Sequence, residues 1–144
     1  MTTTANIVKA LGGRSVLKAK VRTPSQLTET IRTGLPYASL ETLISKLRLP
    51  RTEAAAALNL PERTLARRRK EKRLSPDESD RVLRLARLFS HAADVLESEE
   101  NAAAWLSQPN RALHKKTPLS LIDTDSGTRE AEDVLWQIAH GIFS

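Results

Sequence analysis

The sequence predicts an all-α protein, and three observations carry that expectation. Apolar residues recur at helical spacing in several segments, no alternating apolar–polar run of useful strand length appears, and Gly, Pro, Ser and Thr punctuate the segment ends. The order of segments predicts an arm at 1–24, a helix-turn-helix bundle at 25–74 and a second helical region at 75–144.

Residues 1–24 are polar and interrupted by Gly12-Gly13, with a cationic stretch of Arg14, Lys18, Lys20 and Arg22. They read as a loosely held arm with a short helix at 5–11. Ser25 can cap a helix that carries Leu27 and Ile31 and stops at Gly34-Leu35-Pro36. Ser39 can cap the next, where Leu40, Leu43, Ile44 and Leu47 trace a stripe that ends before Pro50. Helices at 52–58 and 61–72 complete the bundle.

Leu74-Ser75-Pro76 breaks the chain, and Ser75 with Glu78 forms a capping box for a long helix from about Pro76 to Leu96. Its polar strip of Arg84, Arg87, His91 and Asp94 is narrow. A stripe ~100° wide is enough to meet one core, so the apolar surplus predicts a second neighbour. A homodimer is the simplest source, with Leu88 and Val95 at its interface. Ser98 can then cap a short helix through Trp105, Thr117-Pro118 starts a single turn, and Thr124 or Asp125 caps a final helix. Ala131, Val134, Leu135, Ile138 and Ala139 stripe that helix.

The segment Ala55-x-x-x-Asn59-Leu60-x-x-x-x-Leu65 carries the chemistry. Two helices crossing at a tight turn need a small residue where their backbones touch, which Ala55 supplies, and a turn residue that tolerates positive φ, which Asn59 supplies. Pro61 suits the first position of the second helix. With Leu65 toward the core, Glu62, Arg63, Ala66, Arg67 and Lys70 point outward. Arg63 and Arg67 can pair with guanine, Glu62 can accept from cytosine, and Thr64 completes the exposed first turn. Arg68, Arg69, Lys72 and Arg73 suit phosphates, and Lys70 belongs to the same basic surface. This predicts operator DNA as a partner.

Composition supports that direction. The 144 residues carry a net charge of +6, which fits a polyanion partner. The charge is uneven: residues 120–144 hold Asp123, Asp125, Glu130, Glu132 and Asp133 against Arg129 alone, which implies a different partner at that end. There is no cysteine, so no disulfide or thiolate metal site is available, and a reducing cytoplasm is the expected location. No stretch suggests a signal peptide or membrane span. His91, His114 and His140 lack flanking acids at metal spacing, and no glycine-rich phosphate loop exists, so no metal, cofactor or catalytic residue is expected.

Trp136 lies roughly opposite the apolar stripe of the last helix, and the chain finishes His140-Gly141-Ile142-Phe143-Ser144. Packing on the protein's own long helix and burial by a partner are both open from the residues alone. A resemblance favours the partner. The string Leu58-Asn-Leu-Pro-Glu-Arg-Thr-Leu-Ala-Arg-Arg-Arg, continued by Leu74-Ser-Pro-Asp-Glu-Ser-Asp-Arg, resembles the Xre/MbcA/ParS antitoxin family. So do Trp105-Leu106, Pro109-Asn110-Arg111-Ala112-Leu113, Thr117-Pro118-Leu119, Asp123-Thr124 and Ile138-x-His140-Gly141, all in the right order.

The resemblance covers about residues 37–144. It implies an Xre-like helix-turn-helix bundle followed by a toxin-binding and dimerisation region. Members are antitoxins of RES-domain toxins that consume NAD⁺, so it further implies toxin neutralisation, repression of the shared operon and a higher toxin–antitoxin complex. Trp136, His140, Gly141, Ile142, Phe143 and Ser144 become the expected toxin contacts. A stand-alone dimeric repressor is the alternative. One departure from the family pattern is His114-Lys115, where glycines are expected in the turn before Thr117-Pro118.

Overall fold

Helix starts are set where a side-chain oxygen accepts from an otherwise unpaired amide. Thr23 does this for α3 (Pro24–Thr33), Ser75 for α7 (Pro76–Leu96), Ser98 for α8 (Glu99–Ser107) and Thr124 for α9 (Asp125–Ala139). The structure, a computed structural model, describes residues 2–141. Among them the remaining helices are α1 (Thr4–Ala10), α2 (Gly13–Leu17), α4 (Tyr37–Leu47), α5 (Arg51–Ala57) and α6 (Glu62–Glu71), with short 3-10 turns at Arg111–Leu113 and Pro118–Leu121. The chain is all-α, as expected; the described residues hold only two isolated bridges, Pro36 with Arg73 and Asn110 with Lys116.

Two expected caps move. Thr23, not Ser25, caps α3, because Gln26 three residues on can return the bond: its Oε1 accepts from the Thr23 amide at 3.2 Å, while Thr23 Oγ1 accepts from the Gln26 amide at 3.2 Å. Ser39 lies inside α4, which already begins at Tyr37 after Pro36. Its side chain is fully buried, and its hydroxyl has no hydrogen-bond partner.

The central element is α7. It packs against α8, α9, α1 and α3, so its broad apolar surface is covered by four helices of its own chain. Val82, Leu85, Ala86, Leu88 and Ala92 have no exposed surface at all. This corrects the assignment of Leu88 to a dimer interface. The apolar surplus is real, but intramolecular neighbours absorb it; Val95 remains only partly buried. The narrow polar strip is also put to use: Arg84 Nη1 donates to the Ile122 carbonyl at 2.9 Å, and Arg87 Nε meets Glu132 Oε1 at 3.1 Å, which bind α7 to the C-terminal elements.

The expectation of a loosely held arm is also corrected. Ile7, Ala10, Leu11, Leu17 and Val21 are buried in the common core, α1 packs on α7, and Ser90 Oγ donates to the Asn6 carbonyl at 3.2 Å. The apolar residues before Pro24 are sparse, but most of them point inward.

A corner joins the two halves. The Leu35 amide donates to Ser79 Oγ at 2.7 Å, the Leu74 amide to the Leu35 carbonyl at 2.8 Å, and the Tyr37 amide to the Lys72 carbonyl at 3.1 Å. Gly34 makes the corner possible, since it sits at φ 101° and a Cβ there would collide with the Leu74 carbonyl oxygen.

Candidate functional site

The helix-turn-helix is built as its spacing implies. Ala55 is 3 % exposed at the crossing of α5 and α6, and its carbonyl accepts from the Leu60 amide at 2.8 Å. Asn59 takes φ 54°, a conformation Asn tolerates better than most residues. Leu58, Leu60 and Leu65 are buried and pin α6. Pro61 sits at the capping position, one residue before α6 begins, with φ −59° and ψ 151°.

Around α6 the structure separates residues that the sequence groups together. Arg63, Arg67 and Lys70 lie on the side away from buried Leu65, are exposed and form one cationic ridge. Arg67 Nε is 3.8 Å from Glu71 Oε1, a loose exposed pair that a phosphate or base can replace. Glu62, Ala66 and Arg69 instead border an open cleft of about 320 Å³ shared with Tyr37, Arg51 and Thr52. Thr64 is half-buried. Lys72 ends α6 in the left-handed conformation at φ 65° with its side chain exposed.

Arg51 and Thr52 escape the sequence reading. They open α5, both exposed, and face the same cleft as Glu62 and Arg69. The signal was Pro50, which ends one helix and places the first turn of the next beside α6.

Two basic residues serve the fold. Arg68 Nε donates to Glu78 Oε1 at 2.7 Å and its Nη2 to Glu78 Oε2 at 3.1 Å, while Nη1 reaches Glu71 Oε2 at 3.2 Å. Its side chain is 18 % exposed and that of Glu78 is 8 % exposed. Hydrogen bonding to Glu78 raises the Arg68 pKa. Burial pushes the Glu78 carboxyl up, but the bonds from Arg68 and the Ser75 amide outweigh it and hold the group below its ordinary value. Contrary to the expected phosphate grip, Arg68 serves the fold: it lies three residues from Leu65 on the inward side, and each of its three nitrogens already donates to Glu78 or Glu71. Arg73 donates from Nη1 to the Gly34 carbonyl at 2.9 Å and so steadies the corner.

At the other end, α9 presents a face of opposite character. Ala131, Val134 and Leu135 are buried against the core, while Arg129, Asp133 and Trp136 are exposed. Trp136 is 51 % exposed, the only large hydrophobic residue so exposed among those described. His140 stacks on it with ring centroids 4.0 Å apart, and His140 Nδ1 lies 2.8 Å from the Trp136 carbonyl. Gly141 follows at φ 66°. Ile142, Phe143 and Ser144 lie outside the described residues. Asp125, Glu132 and Asp133 line an open recess beside Arg87 and Arg129.

Between the two ends, the Asn110–Thr117 loop closes with the Asn110 amide donating to the Lys116 carbonyl at 3.0 Å. His114 and Lys115 take φ 55° and 67° there, the left-handed region where glycines are expected. The two residues thus adopt the backbone conformation that glycine takes most readily. Among the described residues no group of three or more His, Asp or Glu is placed to hold a metal ion, and no helix is long and apolar enough to cross a membrane.

Comparison with known proteins gives two domain matches. Residues 26–87 match the antitoxin Xre-like helix-turn-helix domain, and residues 91–141 match the antitoxin Xre/MbcA/ParS C-terminal toxin-binding domain. The chain is 31 % identical over 120 residues to an Antitoxin Xre from Yersinia enterocolitica, covering 82 % of this chain and 81 % of that protein. It is 37 % identical over 83 residues to an Antitoxin Xre from Pseudomonas putida, covering 57 % and 52 %. It is also 31 % identical over 124 residues to a protein of Sphingobium sp. named Prs ADP-ribosylating antitoxin, covering 79 % and 78 %. The two domain matches meet inside α7.

Proposed function

Because the chain belongs to the Xre/MbcA/ParS antitoxin family and carries both its helix-turn-helix and its toxin-binding domain, we propose that it neutralises a RES-domain, NAD⁺-consuming toxin through α9 and represses its own operon through α6. The family is one of antitoxins, and both matched domains are binding modules with no enzymatic role.

One observation carries the reading of α9: Trp136 is half-exposed within the toxin-binding domain, braced by His140 and standing next to exposed Asp133. An aromatic anchor held rigid before contact loses little entropy on binding, which suits an interface hot spot. Acidic neighbours suit a cleft basic enough to hold a pyrophosphate. Blocking by occupancy then needs no chemistry from the antitoxin. The name of the Sphingobium relative ties that protein to ADP-ribosylation, and ADP-ribosyl transfer draws on NAD⁺, the substrate expected of the toxin here.

For repression, Arg63 and Arg67 would read bases and Lys70, Arg69 and Lys72 would hold phosphates. A two-fold operator needs two copies of α6, hence a homodimer. Val95, beside Leu96 at the end of α7, keeps exposed surface that such an interface could use.

The test is co-expression with the toxin gene, reading growth and cellular NAD⁺. Wild type is expected to restore both, and a Trp136→Ala, His140→Ala double variant to restore them only in part while still binding the promoter. Full protection by that variant would remove α9 as the contact surface. Release of free ADP-ribose by the toxin, as opposed to an ADP-ribosylated protein, separates NAD⁺ hydrolysis from group transfer.

A further inference from the structure

We infer that Arg14, Lys18, Lys20 and Arg22 form a second duplex-binding surface, separate from α6, that grips DNA phosphates outside the sequence-reading contacts. The inference rests on the reading that α6 binds operator DNA, but it concerns residues that precede the matched helix-turn-helix domain.

Charge is the first observation. Residues 1–28 contain Lys9, Arg14, Lys18, Lys20 and Arg22 and no acidic residue, so they supply five of the chain's six net positive charges. Residues 29–144 sum to +1, because acids elsewhere offset the +5 of residues 61–74 around α6. The N-terminal segment thus carries as much net positive charge as residues 61–74 around α6, and base reading does not use it.

Availability is the second. All four side chains belong to exposed residues, and none is in a salt bridge among the described residues. The first acid downstream, Glu29, is already engaged by Arg32 at 2.7 Å. Unpaired cations release no internal partner when they meet a phosphate, so the favourable counterion release on binding is not offset by a broken pair.

Rigidity is the third. Leu17 and Val21 are buried on either side of the exposed run 18–20, so the chain between them arches over the core with its charges outward. Lys18 turns the chain at φ 56° as it leaves α2, which removes the helical continuation and opens the arch. At the far end the Arg22 amide donates to Gln26 Oε1 at 2.7 Å, fixing the segment to the first turn of α3. A tail would have to order on binding; this segment is already anchored, so its electrostatic gain is not consumed by ordering entropy. A duplex fits such a fixed row of cations, among which small Ala19 is the one exposed apolar residue, whereas a membrane-surface segment needs a larger apolar face to insert.

The experiment measures binding of the full chain to a promoter duplex and to an unrelated duplex of equal length over a range of salt concentrations. Compared with wild type, the triple variant Arg14→Gln, Lys18→Gln, Lys20→Gln should weaken binding to both duplexes, on the order of tenfold at low salt, and lower the log K versus log salt slope by roughly 0.9 for each phosphate no longer neutralised. Its preference for the promoter over the unrelated duplex should not change. A control with the same charge reduction elsewhere, Arg111→Gln, Lys115→Gln, Lys116→Gln, should leave the slope at the wild-type value. Equal slopes for wild type and the triple variant would overturn the inference, as would an equal weakening in the control or binding to phosphatidylglycerol vesicles with none to DNA. If wild type shows no promoter preference yet the triple variant still has the shallower slope, the operator reading fails and the second surface stands. Circular dichroism and thermal melting of the triple variant should match wild type, because only exposed groups change.

Discussion

Arg68 and Glu78 join the C-terminal half of α6 to the first turn of α7 through two parallel hydrogen bonds, 2.7 and 3.1 Å long. The same Glu78 Oε1 accepts from the Ser75 amide at 2.8 Å, so one carboxylate caps α7 and anchors α6. An orienting bond of this kind sets the angle at which Arg63 and Arg67 are presented.

Removing one side of the pair leaves a largely buried charge unpaired. Arg68→Met is expected to lower unfolding free energy by about 2–3 kcal/mol, measured in urea. Glu78→Gln should cost less, because the amide can still accept from Ser75. The pH dependence follows from the depressed Glu78 pKa. Its contribution is fully present above the unfolded-state value, about 4.5, and is lost as pH falls through the lower folded value. Wild type should therefore lose stability below about pH 4.5 more steeply than Glu78→Gln, and parallel acid limbs would remove the pair from that account.

On the DNA side, Arg67→Ala is expected to cost ~1–3 kcal/mol on the operator and to relax base preference at one position. Lys70→Ala should weaken all duplexes alike and lower the salt slope by roughly one unit. A titration in which both variants lose affinity uniformly would rule out Arg67 as a base reader.

For the toxin surface, Trp136→Ala should reduce affinity for the toxin by ~2 kcal/mol or more. The free protein's melting midpoint should hardly change, because half of the side chain is already in water. A large drop in stability with unchanged toxin affinity would mean that Trp136 belongs to the fold.

In the Asn110–Thr117 loop, His114→Gly and Lys115→Gly each relieve a side chain held at positive φ. Each should raise stability by roughly 0.5–1 kcal/mol, the left-handed penalty net of glycine's larger unfolded-state entropy. Chemical denaturation of the single variants checks this, and a drop in stability at either position would show that the imidazole or ammonium makes a compensating contact.

Leu88 gives the sharpest test of what covers α7. With no exposed surface in the single chain, Leu88→Ala should cost ~2–5 kcal/mol at any protein concentration. A cost that vanishes on dilution, when a dimer would dissociate, would place the residue between subunits instead.

Where a signal is local, the sequence discloses it. Ser75-Pro76-x-Glu78 announces the start of α7 at the residue where it begins, Asn59 announces the turn, and the Ala131-to-Ile138 spacing announces which side of α9 turns inward. Non-local partners are hidden. Leu88 lies on an apolar face that either a second copy or four helices of the same chain could cover, and nothing near it in sequence decides between them. Arg68 sits in a run of cations, and although its spacing from Leu65 turns it inward, the carboxylate that it meets there, Glu78, lies ten residues away. Leu11 and Val21 look too sparse to fold because their neighbours come from much later in the chain. Ile142 to Ser144, the end of the expected toxin contact, lie outside the described residues.

The helix-turn-helix and toxin-binding matches end and begin at residues 87 and 91, four positions apart on one uninterrupted helix of 21 residues. No hinge lies between them. A helix of that length spans roughly 30 Å, so α7 acts as a bracket whose two ends have a fixed bearing. A toxin mounted on α9 would be carried at one set azimuth around the duplex. Its bulk would either clear the next bound antitoxin or collide with it, and operator spacing would decide which.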